Sequence, residues 1–93
     1  MAEQASKRVE IVNRKGLHAR ASAKFVGMVA DLPDGTIVTV TKDGVEAGGS
    51  SILGLMMLGA AKGDEVEIAV TGPNADQVLD QLTALVADRF GEE

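Results

Sequence analysis

The chain has 93 residues, a formal net charge of -5 and a hydrophobic content of 45%, which fits one small domain with a modest core. The absence of cysteine and the presence of a single histidine exclude a disulfide framework and argue against a zinc site. The acidic charge and an aromatic content of 2% argue against nucleic-acid binding, and no apolar run approaches the roughly 20 residues needed to cross a membrane.

A first strand is predicted near the N-terminus. Val9, Ile11 and Asn13 alternate with Arg8, Glu10 and Val12, the pattern of a half-buried strand. This strand leads into a loop that contains Gly16 and ends at the only histidine, His18.

His18 stands directly before a helix-forming run. If the helix begins at Ala19, the unpaired N–H groups of its first turn and the positive end of its dipole favour an anion beside the imidazole. Arg20 can offer a planar fork of donors to a phosphoryl group on the ring. The order of residues therefore indicates a phosphoryl-accepting histidine, although the spacing alone leaves open a simple surface or capping role.

Basic residues are concentrated around this segment. The first 24 positions carry a net charge of +4 and the remainder carries -9. Such a separation would steer an acidic or phosphorylated partner toward His18; the alternative is that these are merely solvated side chains. The six basic residues of the segment are Lys7, Arg8, Arg14, Lys15, Arg20 and Lys24.

The next elements are a helix and a β-hairpin. The helix has one apolar face, and residues 32–35 (LPDG) end it. Residues 36–41 (TIVTVT) are typical of a strand, and a turn at residues 42–44 predicts an antiparallel return over residues 45–47. The apolar face of the helix consists of Ala21, Phe25, Met28, Val29 and Leu32.

A short apolar helix is predicted over residues 52–58, after a Gly-Gly-Ser-Ser turn in which Ser51, or alternatively Ser50, caps the helix. Ile52, Leu55 and Leu58 are predicted to be core. A surface formed by Leu53, Met56 and Met57 would be an adaptable docking face, and simple core packing is the alternative.

The clearest strand covers residues 65–71, where Val66, Ile68 and Val70 alternate with polar or small residues. A long helix follows, with Asn74 as N-cap and Gln77 in a capping-box position. Its apolar stripe extends to Phe90, and Gly91 ends it. The order β-α-β-β-α-β-α predicts an α+β fold: a four-stranded antiparallel sheet with three helices on one face.

Two segments carry a family resemblance. Residues 16–20 (GLHAR), preceded by Asn13 and followed by residues 23–26 (AKFV), resemble the active-site signature of the HPr family of bacterial histidine-containing phosphocarriers. Residues 51–59 (SILGLMMLG) resemble that family's second signature, around its regulatory serine. The chain departs from the pattern at Ala21, where the family usually has proline. An alanine keeps the helix and adds an N–H near the site.

The resemblance implies an open-faced β-sandwich, a single domain over residues 1–93, and a phosphocarrier of the phosphoenolpyruvate-dependent phosphotransferase system. His18 would be phosphorylated on Nδ1, with Arg20 and the backbone of Ala19 and Arg20 steadying the phosphoryl group. Ser51 would be the target of an HPr kinase/phosphorylase.

The same resemblance implies enzyme I as donor and an EIIA-type protein as acceptor, with docking by Leu53, Met56, Met57 and Lys24. A cytoplasmic monomer without metal or cofactor is expected. Ala21 and Ser51 favour the regulatory, nitrogen-related branch over sugar transport. The alternative is a non-catalytic regulatory binding module of the same fold, acting through the apolar helix at residues 52–58.

Overall fold

The computed structural model describes residues 3–92. In chain order the elements are β1 (Gln4–Glu10), α1 (Ala19–Ala30), β2 (Ile37–Lys42), β3 (Val45–Gly48), α2 (Ile52–Met57), β4 (Glu65–Thr71) and α3 (Ala75–Ala87), followed by a 3-10 turn (Arg89–Gly91). The predicted domain over residues 1–93 also includes residues 1, 2 and 93, which lie outside the described residues.

The four strands form one antiparallel sheet in the order β1-β4-β2-β3. Strand β4 lies between β1 and β2, and its alternation is explained by this central place: Val66, Ile68 and Val70 are buried, while Glu65 and Glu67 are exposed on the opposite face. The β2–β3 turn has left-handed backbone at Asp43 (φ 51°) and Gly44 (φ 82°), as a two-residue hairpin requires.

The three helices cover one face of the sheet, which confirms the predicted architecture. Helix α3 packs on β1 and β4, and α1 packs against α2. Their apolar stripes meet the sheet in one core that includes the fully buried Leu55, Leu82 and Phe90. Burial of each such side chain contributes about 1.5–3 kcal/mol relative to exposure.

The predicted limits of β1 were wrong at both ends. The strand begins at Gln4, inside a polar segment, because backbone pairing with β4 from Gln4↔Thr71 to Glu10↔Glu65 holds it in the sheet. It ends at Glu10. Ile11 is buried outside the strand, and its N–H donates to the carbonyl oxygen of Asp64 at 2.8 Å.

Two predictions for the helices were wrong, and a third was right only in part. Ile52 is 40% exposed and is not core. Asn74 is the N-cap of α3 as predicted, but its backbone is left-handed (φ 57°) and its side chain makes no capping hydrogen bond. Helix α3 ends at Ala87 with Asp88 as its C-cap, so Phe90 and Gly91 belong to a separate turn.

Within residues 3–92, no helix is long and apolar enough to span a membrane.

Candidate functional site

His18 is the N-cap of α1. Its backbone is extended (φ -79°, ψ -178°), and its Nδ1 atom accepts a hydrogen bond from the backbone N–H of Arg20 at 3.3 Å. The ring nitrogen therefore lies against the first turn of a twelve-residue helix, where unpaired N–H groups and the helix dipole favour negative charge. Ala19 and Arg20, the predicted backbone donors, are the first two residues of that turn.

The loop before His18 is fixed by contacts with a neighbouring loop. Gly16 is left-handed (φ 64°), and a Cβ there would collide with the Ala60 carbonyl. The Leu17 N–H donates to that same carbonyl at 2.9 Å. Behind them, the side-chain amide of the fully buried Asn13 donates to the carbonyl oxygen of Gly16 at 2.8 Å. These contacts hold His18 where β1, α1 and the α2–β4 loop meet.

The C-terminal segment supplies a carboxylate to the same site. Oε2 of Glu92 lies 2.9 Å from Nε2 of His18, with the two side chains 15% and 24% exposed. Oε1 of Glu92 accepts a hydrogen bond from Asn13 Nδ2 at 3.2 Å. The His18 contact, as the largest cause, holds the pKa of the Glu92 carboxyl below its ordinary value; Asn13 and Arg20 act in the same direction, and partial desolvation opposes them.

A basic cleft opens beside the histidine. Its volume is about 190 Å³, and Arg14, Lys15, Arg20 and Glu92 line it. Arg20 is exposed, so its guanidinium is available to an incoming group. A larger cleft of about 520 Å³ lies between β1 and α3 and includes none of these residues. Among residues 3–92, no cluster of acidic, histidine or cysteine side chains could hold a metal ion.

The residues predicted for docking and regulation lie on α2 and α1. Ser51 is the N-cap of α2, and its hydroxyl accepts a hydrogen bond from the Gly54 N–H at 2.9 Å. Leu53 and Met57 are 66% and 75% exposed, and Met56 is 39% exposed. Lys24 is exposed on α1, with its Nζ atom beside the C-terminal turn at Gly91.

Comparison with known proteins identifies the family to which the chain belongs. A family model described as "PTS HPr component phosphorylation site" matches residues 5–88. The chain belongs to the HPr family of phosphotransferase-system phosphocarriers. Proteins of this HPr family act with partner proteins of that system, which agrees with a site made of one histidine, one cleft and an exposed apolar helix.

Several curated proteins are similar over most of the chain. The Phosphocarrier protein HPr of Neisseria meningitidis serogroup A is 43% identical over 84 residues, which cover 90% of this chain and 92% of that protein. The HPr of Cupriavidus necator is 40% identical over 82 residues, covering 88% and 90%. The Phosphocarrier protein NPr of Escherichia coli K12 is 34% identical over 85 residues, covering 91% and 93%.

Solved HPr structures have the same fold. The crystal structure of HPr-C-His from Thermoanaerobacter tengcongensis superposes with a TM-score of 0.87 at 32% identity, covering 96% of this chain and 98% of that one. The HPr of Bacillus anthracis gives a TM-score of 0.80 at 31% identity, covering 87% and 94%.

Sequence reasoning did not find Glu92. The residue lies 74 positions from His18, and no motif or periodicity links the two. Asn13 was noted as part of the signature, but its burial and its contact with Glu92 depend on how the C-terminal turn folds. The sequence contains one feature that points to this carboxylate. Two glutamates follow Gly91, and they are candidate counter-charges for the basic loop.

Proposed function

We propose that His18 is the phosphoryl acceptor of this HPr-family carrier and that Nδ1 is the atom that attacks phosphorus. The hydrogen bond from the Arg20 N–H to Nδ1 is the observation that carries the proposal, because a nitrogen that accepts a hydrogen bond holds its lone pair and no proton. A phosphoryl group on Nδ1 would lie against the first-turn N–H groups of α1 and beside the guanidinium of Arg20.

The proposed donor is phosphorylated enzyme I, which is charged by phosphoenolpyruvate, and the proposed acceptor is an EIIA-type protein. A carrier needs little catalytic machinery, since the docked partner supplies much of the positioning and charge stabilisation. The proposal includes the cytoplasmic location expected from the sequence. Its support is the family relationship together with a basic cleft that suits an anionic group.

Docking is proposed to use the exposed apolar surface of Leu53, Met56 and Met57, with Lys24 nearby on α1. Methionine side chains adapt to different partner surfaces, and a carrier must fit at least a donor and an acceptor. Their exposure and the packing of α2 against α1, the helix that His18 caps, support this surface.

Mass spectrometry tests the central proposal. The protein, a His18→Ala variant and a Gln81→Ala control at an exposed position of α3 are incubated with phosphoenolpyruvate and the enzyme I of the same genome. We expect an acid-labile gain of one phosphoryl group in the parent and the control but not in His18→Ala. Phosphorylation of His18→Ala would contradict the assignment, and full cellular activity of that variant would favour the non-catalytic binding module.

Ser51 is proposed as a regulatory phosphorylation site for an HPr kinase/phosphorylase. A phosphate there would add roughly two negative charges next to the apolar surface and would be tolerated at the N-cap of α2. We therefore propose that phosphorylation of Ser51 slows charging of His18 by repelling or misaligning enzyme I.

A pair of aspartate variants tests this regulation. Aspartate caps a helix about as well as serine, so Ser51→Asp should keep its fold while charging slows, by roughly 3- to 10-fold for one charge at a docking face. Ser50→Asp adds the same charge one residue earlier, at an exposed position outside the cap, and should have a smaller effect. Equal charging rates for Ser51→Asp and the parent would contradict an inhibitory role.

A further inference from the structure

The chain after α3 adopts an unusual backbone that returns it to the active site. Arg89 (φ 56°), Phe90 (φ 55°) and Gly91 (φ 72°) are all left-handed, and each such non-glycine residue costs roughly 1–2 kcal/mol. Phe90 is fully buried in the core and offsets that cost. The result of this turn is that Glu92 points back toward the start of α1.

The carboxylate of Glu92 is held in place by a hydrogen bond from the side chain of Asn13. Asn13 Nδ2 donates to both Glu92 Oε1 and the Gly16 carbonyl, which fixes the orientation of the amide because both partners are acceptors. The Oδ1 atom of this fully buried Asn13 has no partner. A buried oxygen without a hydrogen-bond partner destabilises the fold. An amide that is kept in this position and binds a carboxylate therefore indicates that the carboxylate has a specific role.

The hydrogen bonds around the imidazole define where its proton lies. Because Nδ1 accepts from the Arg20 N–H, a neutral ring carries its proton on Nε2. Glu92 Oε2 lies 2.9 Å from Nε2, but Nε2 is buried and makes no hydrogen bond at acceptable angles. The two atoms are therefore close together but poorly aligned for a hydrogen bond while His18 is unphosphorylated. Contacts that take part in a reaction are often misaligned in this way until the reaction complex forms.

We propose that Glu92 is a positioning residue for phosphoryl transfer, which holds the His18 ring with its proton on Nε2 so that Nδ1 is the nucleophile. The inference rests on the proposed role of His18. In the reaction, the Nδ1 lone pair forms the new N–P bond while the N–P bond of a donor phosphohistidine breaks, and the donor ring leaves with that bonding pair. The His18 ring keeps its Nε2 proton and becomes a phosphoimidazolium, whose positive charge Glu92 balances.

The His18 contact, the Asn13 hydrogen bond and a smaller effect of the Arg20 charge lower the pKa of Glu92 and keep it ionised for this task. Arg14, Lys15 and Arg20 line the cleft with it, and Lys24 approaches the same turn. At neutral pH the carboxylate is therefore a permanent counter-charge on the Nε2 side of the ring, while the phosphoryl group takes the cationic side of the cleft.

NMR of the ring nitrogens tests the positioning role without a phosphoryl donor. The protein is labelled with ¹⁵N-histidine and compared with Glu92→Ala, Glu92→Gln and the charge-matched control Glu46→Gln, an exposed residue of β3. The parent and the control should hold the proton on Nε2. In Glu92→Ala the Nδ1-protonated form should rise several-fold, and Glu92→Gln, which keeps an acceptor, should lie between them.

The rate of phosphorylation by enzyme I gives a second readout. Phosphorylation of Glu92→Ala should be roughly tenfold slower than that of the parent. Unchanged tautomers and unchanged charging in Glu92→Ala would overturn the inference, and so would faster charging, which would make Glu92 a blocking anion. A parent that is never charged would overturn the proposed function, while the tautomer measurement would still decide the contact.

Discussion

The pH dependence of stability follows from the lowered pKa of Glu92. A carboxyl group whose folded pKa lies below its unfolded value stabilises the fold fully above the unfolded value of about 4.3 and loses this contribution as the pH falls through the folded pKa. The cause here is first the His18 contact and then the Asn13 hydrogen bond. We therefore expect the Glu92→Gln variant to lose less stability between pH 5 and about pH 3 than the parent.

Urea unfolding at a series of pH values measures this difference. Glu46→Gln removes the same charge from an exposed strand residue and should follow the parent curve. If Glu92→Gln and the parent lose stability in parallel below about pH 5, the carboxylate and its contact with His18 contribute nothing to the free energy of unfolding.

Ser51 and Ser50 are distinguished by a single hydrogen bond. The Ser51 hydroxyl accepts from the Gly54 N–H at 2.9 Å, so Ser51→Ala should lower the free energy of unfolding by about 1 kcal/mol. Ser50 is exposed and precedes the cap, so Ser50→Ala should change it by less than about 0.5 kcal/mol. Thermal or urea unfolding of the two variants checks the order, and equal losses would mean that the cap bond is not the source of the effect.

Helix α2 separates a core side from an exposed apolar side within six residues. Leu55 is fully buried, while Leu53 and Met57 are 66% and 75% exposed. A Leu53→Ser, Met57→Ser double variant should therefore change the free energy of unfolding by less than about 1 kcal/mol and slow charging by enzyme I several-fold.

Ile37→Ser is the matched control for this prediction. Ile37 is also a large apolar residue, 62% exposed, but it lies on β2 and away from α2. We expect it to leave charging unchanged. Equal slowing by Ile37→Ser and the double variant would show a general effect of lost apolar surface, and the docking assignment would be wrong.

The elements that sequence predicted best are those whose pattern is local. Strand β4 alternates strictly and was predicted with its observed bounds, and the β2–β3 turn followed from Asp43-Gly44. Strand β1 was predicted too late because Gln4 to Ser6 have no strand pattern and are held by backbone pairing with β4. Tertiary pairing of this kind overrides weak local preference.

The C-terminal turn shows the opposite limit. Phe90 stands four residues after Val86, so helical spacing placed it on α3; the structure instead buries it from a left-handed turn. The positive φ angles of Arg89 and Phe90 could not be predicted from residue type, because arginine and phenylalanine both disfavour such a backbone. Because Glu92 is placed by that turn, no local motif predicted its contact with His18, whereas the predictions for His18, Arg20 and Ser51 rest on local motifs.

At the scale of the whole molecule, the fold gathers one end of several elements around His18. The end of β1, the start of α1, the α2–β4 loop and the turn after α3 all meet there, whereas the opposite face of the sheet is solvent-exposed. The assignment to the regulatory branch, favoured by Ala21 and Ser51, stays a prediction, since both HPr and NPr proteins are among the relatives.

The separation of charge along the chain predicts how fast partners arrive. The first 24 residues carry +4 and the rest -9, and the basic side chains of Arg14, Lys15 and Arg20 meet in one cleft beside His18. Since salt shortens the range of exposed charges to about 10 Å at 0.1 M and about 3 Å at 1 M, association with an acidic or phosphorylated partner should slow as salt is added. We expect charging at low enzyme I concentration to fall by about tenfold between 50 and 500 mM salt.

A charge-removing pair tests whether the cleft causes this dependence. Lys15→Gln takes one charge from the cleft and should both slow charging and flatten its salt dependence. Lys7→Gln removes the same charge from the larger cleft between β1 and α3. It should have a smaller effect on both the charging rate and the salt dependence of that rate. Because steering acts on encounter, the difference should vanish when enzyme I is saturating. Equal effects of the two variants would show that the whole positive segment steers partners, with no particular role for the cleft.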